Sequence, residues 1–223
     1  MVEKIKQCRV KDLGLADYEA AYQLQQSICR EVLDGNPPMI LLCEHDPVIT
    51  CGRMTKPENI FMSPDCLQKE HGFLFKKIDR GGDVTLHCPG QIVAYPVISL
   101  SDYRRDLHKY LFHLEQVVID LLKDFDIFSN RSAGKTGVWV GDKKIASLGI
   151  GVRKWISFHG IALNVNNDLD LFRFIRPCGM DVKMTSMCDI KKGKFELADV
   201  KKKFLYHFAK VFDLYCNWEY KEQ

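Results

Sequence analysis

Apolar residues recur at helical spacing from Tyr18 through Ala21, Leu24 and Ile28 to Val32, behind an Asp17 placed to cap the first turn. Gly35-Asn36-Pro37-Pro38 closes this segment, so the pattern predicts an opening helix. Short apolar runs at 39–43, 73–78 and 91–98, separated by glycine and proline, predict strands, and the middle of the chain reads as mostly sheet. Leu107, Tyr110, Leu111, Leu114, Val117, Val118, Leu121, Leu122 and Phe125 form the strongest helical stripe, a helix that should pack on that sheet. Residues 137–140 and 143–152 read as a hairpin turning on Gly141-Asp142, with a further strand over 155–164. A helical turn at 169–174 leads into Arg176-Pro177-Cys178-Gly179. The last helix, over 197–212, carries Val200, Phe204, Phe208 and Val211 on one face and Lys201-Lys202-Lys203 as its solvated side. No internal repeat and no linker-like break interrupts this mixture, which predicts one α+β domain over residues 1–223.

Composition narrows the class without changing that picture. A chain of 223 residues buries about 72% of its extended surface by the scaling of area with mass, enough for a core without staples. Hydrophobic residues at 46% and charged residues at 27% exclude a disordered, collagenous or coiled-coil chain. A formal net charge of +3 does not signal nucleic-acid binding, although a local basic patch suits an acidic protein partner. The absence of an apolar run of signal-peptide or membrane-helix length gives the expectation of a cytoplasmic protein without a membrane span. Nine cysteines, an odd number with no C-x-x-C pair, read as reduced thiols, most of them small buried hydrophobes.

Chemistry concentrates in three places. Residues 80–91 combine paired glycines, His87 and a second glycine turn between two strands; a tight interstrand loop accounts for the glycines as well as a ligand loop does. Pro177-Cys178-Gly179 places a thiol at a sharp turn. A free thiol of pKa near 8.5 is about 3% ionised at pH 7, and bringing that pKa to about 7 raises the thiolate to roughly half, at about 2 kcal/mol of selective stabilisation. A neighbouring ammonium supplies that much, and histidine is the more familiar partner, with His87 and His159 both at polar, glycine-containing strand ends. Lys143 and Lys144 open a strand, so they point to opposite faces and one must face inward, where a lysine needs an anionic ligand or thiolate. The residues alone leave open which lysine that is.

Taken together, four ordered blocks resemble the lipoyl(octanoyl) transferase family, which moves an octanoyl group from acyl carrier protein to lipoyl domains. They are Glu44-His45-Asp46-Pro47 with Thr50 and Gly52-Arg53; Arg80-Gly81-Gly82 through His87-x-Pro89-Gly90-Gln91; Lys144-Ile145-Ala146 through Ser157-Phe158-His159-Gly160-x-Ala162-Leu163-Asn164; and Pro177-Cys178-Gly179. The resemblance implies a central mixed sheet flanked by helices, as in the biotin and lipoate protein ligases. It also implies a dyad of Cys178 and Lys144, which leaves Lys143 in solvent. By the same likeness Arg80, Gly81, Gly82, Asp83, Val84, Thr85, Leu86 and His87 line the acyl site, Ser147, Leu148 and Gly149 add backbone contacts, and Gly160, Ile161 and Ala162 form the remaining wall. One departure stands in the glycine loop, where the family has His-Gly-Pro-Gly and this chain has His87-Cys88-Pro89-Gly90; a left-handed backbone there would strain Cys88, and a side chain facing the pocket would narrow it.

The implied reaction is ping-pong. The Cys178 thiolate takes the octanoyl group as a thioester and a lipoyl-domain lysine removes it, with Lys144 managing the proton and the N–H groups of Gly149 and Cys178 stabilising the oxyanion. Implied partners are octanoyl-acyl carrier protein as donor, and as acceptors the lipoyl domains of 2-oxoacid dehydrogenase E2 subunits and the glycine cleavage H protein; no cofactor, metal or nucleotide is expected. Three rivals share parts of this picture: an ATP-dependent lipoate or biotin ligase, an amidotransferase that moves octanoate between lipoyl domains, and a noncatalytic acyl-binding protein.

Overall fold

Two sheets, one large and one small, hold the molecule together, and the computed structural model describes residues 6–103, 105–179 and 181–218, with the Cys178 side chain outside the described set. The elements are β1 (Lys6–Leu15), α1 (Tyr18–Leu33), β2 (Met39–Glu44), β3 (Val48–Cys51), α2 (Pro64–His71), β4 (Leu74–Lys77), β5 (Val84–His87) and β6 (Gln91–Val97). They continue as α3 (Leu107–Lys123), β7 (Asn130–Ser132), β8 (Lys135–Val140), β9 (Lys143–Arg153), β10 (Ile156–Asn164), α4 (Met187–Lys191), α5 (Leu197–Phe212) and β11 (Leu214–Trp218). The large sheet has the order β11-β1-β2-β6-β10-β9-β8-β7 and the small one β4-β3-β5. In the large sheet β1 runs parallel to β2 and β11, and every other pairing is antiparallel.

Alternation along the central strands sorts the core into two layers. Ile40, Leu42, Ala94 and Leu163 join the cluster built with Leu114, Leu121, Phe204 and Phe208 of α3 and α5. Leu41, Cys43, Val93 and Ala162 point the other way and pack with Ala21 and Ile28 of α1. A third cluster, with Ile49, Leu67, Phe73, Leu86 and Phe174, backs the small sheet. Helices cover both faces of a mixed sheet, which is the expected fold class. Among the described residues no helix is long and apolar enough to cross a membrane.

The helix starts follow local chemistry. The Asp17 carboxylate accepts the Ala20 N–H at 2.8 Å, and Asp106 accepts that of Lys109 at 3.0 Å to cap α3. One helical expectation needs correcting. Lys201, read as solvated, is buried, and its ammonium donates to both oxygens of Asp12 on β1 at 2.8 Å; Lys202 is exposed and Lys203 half-buried. Position 201 stands three, four and seven residues before Phe204, Leu205 and Phe208, so it lies on the buried stripe and needs a counter-charge there.

Candidate active site

Strand β5 decides how the glycine loop is used. Thr85 and His87 point into a narrow slot between the small sheet and the α1 side of the large one. Val84 and Leu86 face the opposite way into the cluster behind the small sheet, and are therefore not slot residues as expected. Gly81 borders the wider cleft outside the slot. The other expected wall residues, Arg80, Gly82, Asp83, Ser147, Leu148, Gly149, Gly160, Ile161 and Ala162, are all brought together in the slot, with Tyr18, Ile78, Val93, Tyr95 and His159 added to them. The slot encloses only about 40 Å³, whereas the cleft above it, which shares Gly82, Asp83, Leu148 and Gly149, holds about 600 Å³. Ligand pockets usually measure about 300–1,000 Å³, so a chain entering the slot must push its lining side chains apart.

Hydrogen bonds fix most of the polar wall. Arg80 donates from Nη2 to the Thr50 carbonyl at 2.7 Å and to its hydroxyl at 3.1 Å, tying the loop to β3. His87 Nδ1 bonds Gln91 Oε1 at 2.8 Å, and the Gln91 amide donates to the Leu86 carbonyl and to Asn164 Oδ1. That chain orients the ring with Nδ1–H donating and leaves Nε2 unprotonated. Burial pushes the His87 pKa down to about 3, so the ring is neutral at pH 7. His45, fully buried, bonds the Ala16 carbonyl at 2.7 Å and the Tyr95 hydroxyl at 2.9 Å, and burial also lowers its pKa. Burial does the same to His159, whose Nε2 lies 3.2 Å from Asp79 Oδ1. The His159 bond, with one from the Tyr22 hydroxyl at 3.0 Å, holds the Asp79 carboxyl below the ordinary range.

The His159 backbone explains part of the slot's shape. Continuing the β6–β10 register past Ile161–Ala94 would set His159 opposite Pro96, which has no N–H to offer. Instead Gln25 on α1 accepts the His159 N–H at 2.8 Å, and His159 adopts a left-handed φ of 55°. A non-glycine residue held there by its neighbours is local strain at the wall of the slot.

Lys144 is fully buried and Lys143 is exposed, so the strand turns the second lysine inward. The partner of β9 drops from Ala146 to Lys144 as β8 advances from Val138 to Trp139, leaving Ile145 as an extra residue at a bulge. Here β9 bonds a new neighbour: the Lys144 N–H donates to the Lys183 carbonyl at 2.8 Å, and the Thr185 N–H to the Lys144 carbonyl at 2.9 Å. The ammonium sits 5.5 Å from the Trp139 ring centroid. The 3₁₀ turn Pro177–Gly179 stands against β5, with the Arg176 N–H donating to the Asn59 carbonyl at 2.8 Å. Gly179 has φ 66°, and a β-carbon there would lie 2.6 Å from Asp83 Oδ2, so the residue after Cys178 must be glycine for the turn to seat on Asp83 and Asn59. Gly179 lines the cleft. The Cys178 thiol itself lies outside the described residues.

Two neighbouring groups find their places in the structure. Cys88 has no positive φ and does not line the slot; it packs behind the small sheet with Ile49, Leu86 and Phe174, and burial raises its thiol to about 12. The departure from glycine is thus absorbed by the apolar cluster. The backbone donor also moves by one residue. The Ile150 carbonyl turns away from β10 to accept the Gly81 N–H at 2.8 Å, and antiparallel alternation then turns Leu148 outward and Gly149 toward Gly160. The N–H that β9 offers the cleft is that of Leu148.

The lipoyl protein ligase A/B catalytic domain family matches residues 17–209. Octanoyltransferase of Solibacter usitatus is 40% identical over 210 residues, covering 94% of each chain. Octanoyltransferase of Pelobacter propionicus is 45% identical over 172 residues, 77% of this chain and 78% of that one. Among solved structures, lipoate-protein ligase A bound with ATP has a TM-score of 0.79 at 15% identity, covering 98% of this chain and 90% of that one, which is a likeness of fold.

Proposed function

The chain belongs to the lipoyl protein ligase A/B catalytic family and is an octanoyltransferase of protein lipoylation, and from that premise we propose a ping-pong mechanism with Cys178 as nucleophile and Lys144 as its ionic partner. The observation that carries this reading is the complete burial of Lys144 on β9, a strand that walls the slot, while Lys143 faces solvent. A lysine taken wholly out of water either gives up its proton or lies beside groups that favour its charge, and a thiolate is such a group.

In the first half-reaction the Cys178 thiolate attacks the thioester carbonyl of octanoyl-acyl carrier protein. The carbon–sulfur bond to the carrier breaks, and the departing thiolate takes a proton from the Lys144 ammonium. The octanoyl tail occupies the slot between Tyr18, Val93, Tyr95 and Ile161, where each buried methylene contributes about 0.8 kcal/mol. In the second half-reaction the ε-amine of a lipoyl-domain lysine attacks the enzyme thioester, Cys178 leaves as thiolate, and neutral Lys144 accepts the proton shed as the amide forms. The Leu148 N–H, with an N–H from the Cys178 turn, meets the oxyanion. The acceptors are lipoyl-domain proteins, specifically those of 2-oxoacid dehydrogenase E2 subunits and the glycine cleavage H protein.

Steady-state transfer to a lipoyl domain tests the assignment. Cys178→Ser should abolish it, Lys144→Ala should lower kcat on the order of 10²-fold or more, and Lys143→Ala should leave it nearly unchanged. Transfer from free octanoate with ATP, or from an octanoylated lipoyl domain in preference to the carrier protein, would replace this reading with a ligase or an amidotransferase.

A further inference from the structure

Glu115 is an acid placed among the inward-facing apolar residues of α3, and it is buried. Its Oε1 accepts the backbone N–H of Gly137 on β8 at 2.9 Å, and its Oε2 accepts from Arg131 Nε at 3.1 Å. Arg131 has other partners, since its Nη2 donates to the Phe112 carbonyl at 2.8 Å and to Gln116 Oε1 at 2.9 Å. The Gly137 bond is the more telling of the two. Gly137 has φ 135°, and a β-carbon there would collide with Lys144 Cε and lie 3.1 Å from its Nζ. The end of the Lys144 side chain therefore runs through the space a side chain at 137 would fill. Glu115 grips β8 at the residue against which Lys144 is laid, and the neighbouring Lys135 and Thr136 line the cleft.

We propose that Glu115 is a positioning residue for octanoyl transfer: by holding the Gly137 N–H it fixes the stretch of β8 against which the end of the Lys144 side chain is laid, next to the Lys135 and Thr136 that line the cleft bordered by the Cys178 turn. This rests on the assignment of Lys144 and Cys178 above. Among the described residues Arg131 from β7 is the charged group in contact with the Glu115 carboxylate, and Lys144 from β9 lies against the Gly137 that this carboxylate holds; pairing with Arg131 alone does not explain why the carboxylate also reaches a backbone N–H at this point.

The test follows iodoacetamide alkylation of Cys178 by mass spectrometry in the full chain, from about pH 5 to 10, alongside transfer kcat and thermal melting. Glu115→Ala should move the midpoint of the alkylation profile up by about one pH unit and lower kcat about tenfold, while Glu115→Gln, which keeps an acceptor for the Gly137 N–H, should stay within about threefold of the parent. Arg131→Met should lower the melting temperature without moving the midpoint. If Glu115→Ala does not fold, Glu115→Asp, whose carboxylate falls one methylene short, should show the same upward movement. An unmoved midpoint in the folded variant, or a Glu115→Gln chain as impaired as Glu115→Ala, overturns the proposal. If Lys144→Ala also leaves the midpoint in place, the dyad assignment fails as well; if Lys144→Ala moves it and the Glu115 variants do not, only the role of Glu115 fails.

Discussion

Burial imposes one electrostatic condition on the three histidines around the slot, His45, His87 and His159: each is easier to keep neutral in the folded chain than in the unfolded one. For His87 the folded pKa near 3 lies below the ordinary 6.5, so as pH falls below 6.5 the unfolded chain takes up the proton first and stability drops. Between pH 6.5 and 5 this site alone removes about 2 kcal/mol. Urea unfolding at those two pH values should therefore show a smaller loss in His87→Gln than in the parent; equal losses would mean that His87 protonates as readily when folded. At this scale the sequence spoke clearly where chemistry is local. Alternation required one of Lys143 and Lys144 to turn inward, and the family likeness chose Lys144, which the structure buries. Tyr18, Ile78 and Tyr95 were not legible, because their places on the slot depend on which strands become neighbours rather than on adjacent residues.

Among the elements, β5 shows how four residues divide two kinds of work. Leu86 is buried in the cluster behind the small sheet, and Leu86→Ala should cost about 2–5 kcal/mol of stability while leaving acyl-chain preference as it was. Thr85, next to it, faces the slot, and its buried hydroxyl has no hydrogen-bond partner among the described residues. Thr85→Val removes that unpaired group and should lower KM for the octanoyl donor about two- to fivefold without loss of stability, since an apolar tail cannot satisfy the hydroxyl. Opposite assignments of the two phenotypes would reverse the strand's facing. The strongly periodic elements, α1, α3, α5, the β8–β9 hairpin and β10, were legible in the residue pattern. Strand β3, with four residues, and α2, with only Leu67 buried, carry too little periodicity to register. β11 is an edge strand and β1 its inner neighbour; charged residues interrupt β1, and the exposed Tyr215 blurs the alternation of β11, so neither shows an apolar run or a clear apolar–polar pattern.

At the scale of the molecule, the slot exists because a small sheet is laid across the α1 face of a large one, so that residues from positions 18 to 162 meet along one narrow seam. The fold class was legible from the mixture of helical and strand periods; the seam was not, because no local pattern states which face of the large sheet the small one will cover. The Pro177–Gly179 turn stands at the cleft's edge, and in the proposed reaction the slot takes the acyl tail while the cleft receives donor and acceptor in turn. That proposal requires the enzyme to store one acyl group between two visits. The direct measurement is the mass of the protein after incubation with octanoyl-acyl carrier protein and no acceptor. It should rise by a single octanoyl group carried as a thioester on Cys178, and return to its starting value when a lipoyl domain is added. Sustained octanoyl transfer by a chain whose Cys178 never carries that group, or by Cys178→Ser, would contradict the account.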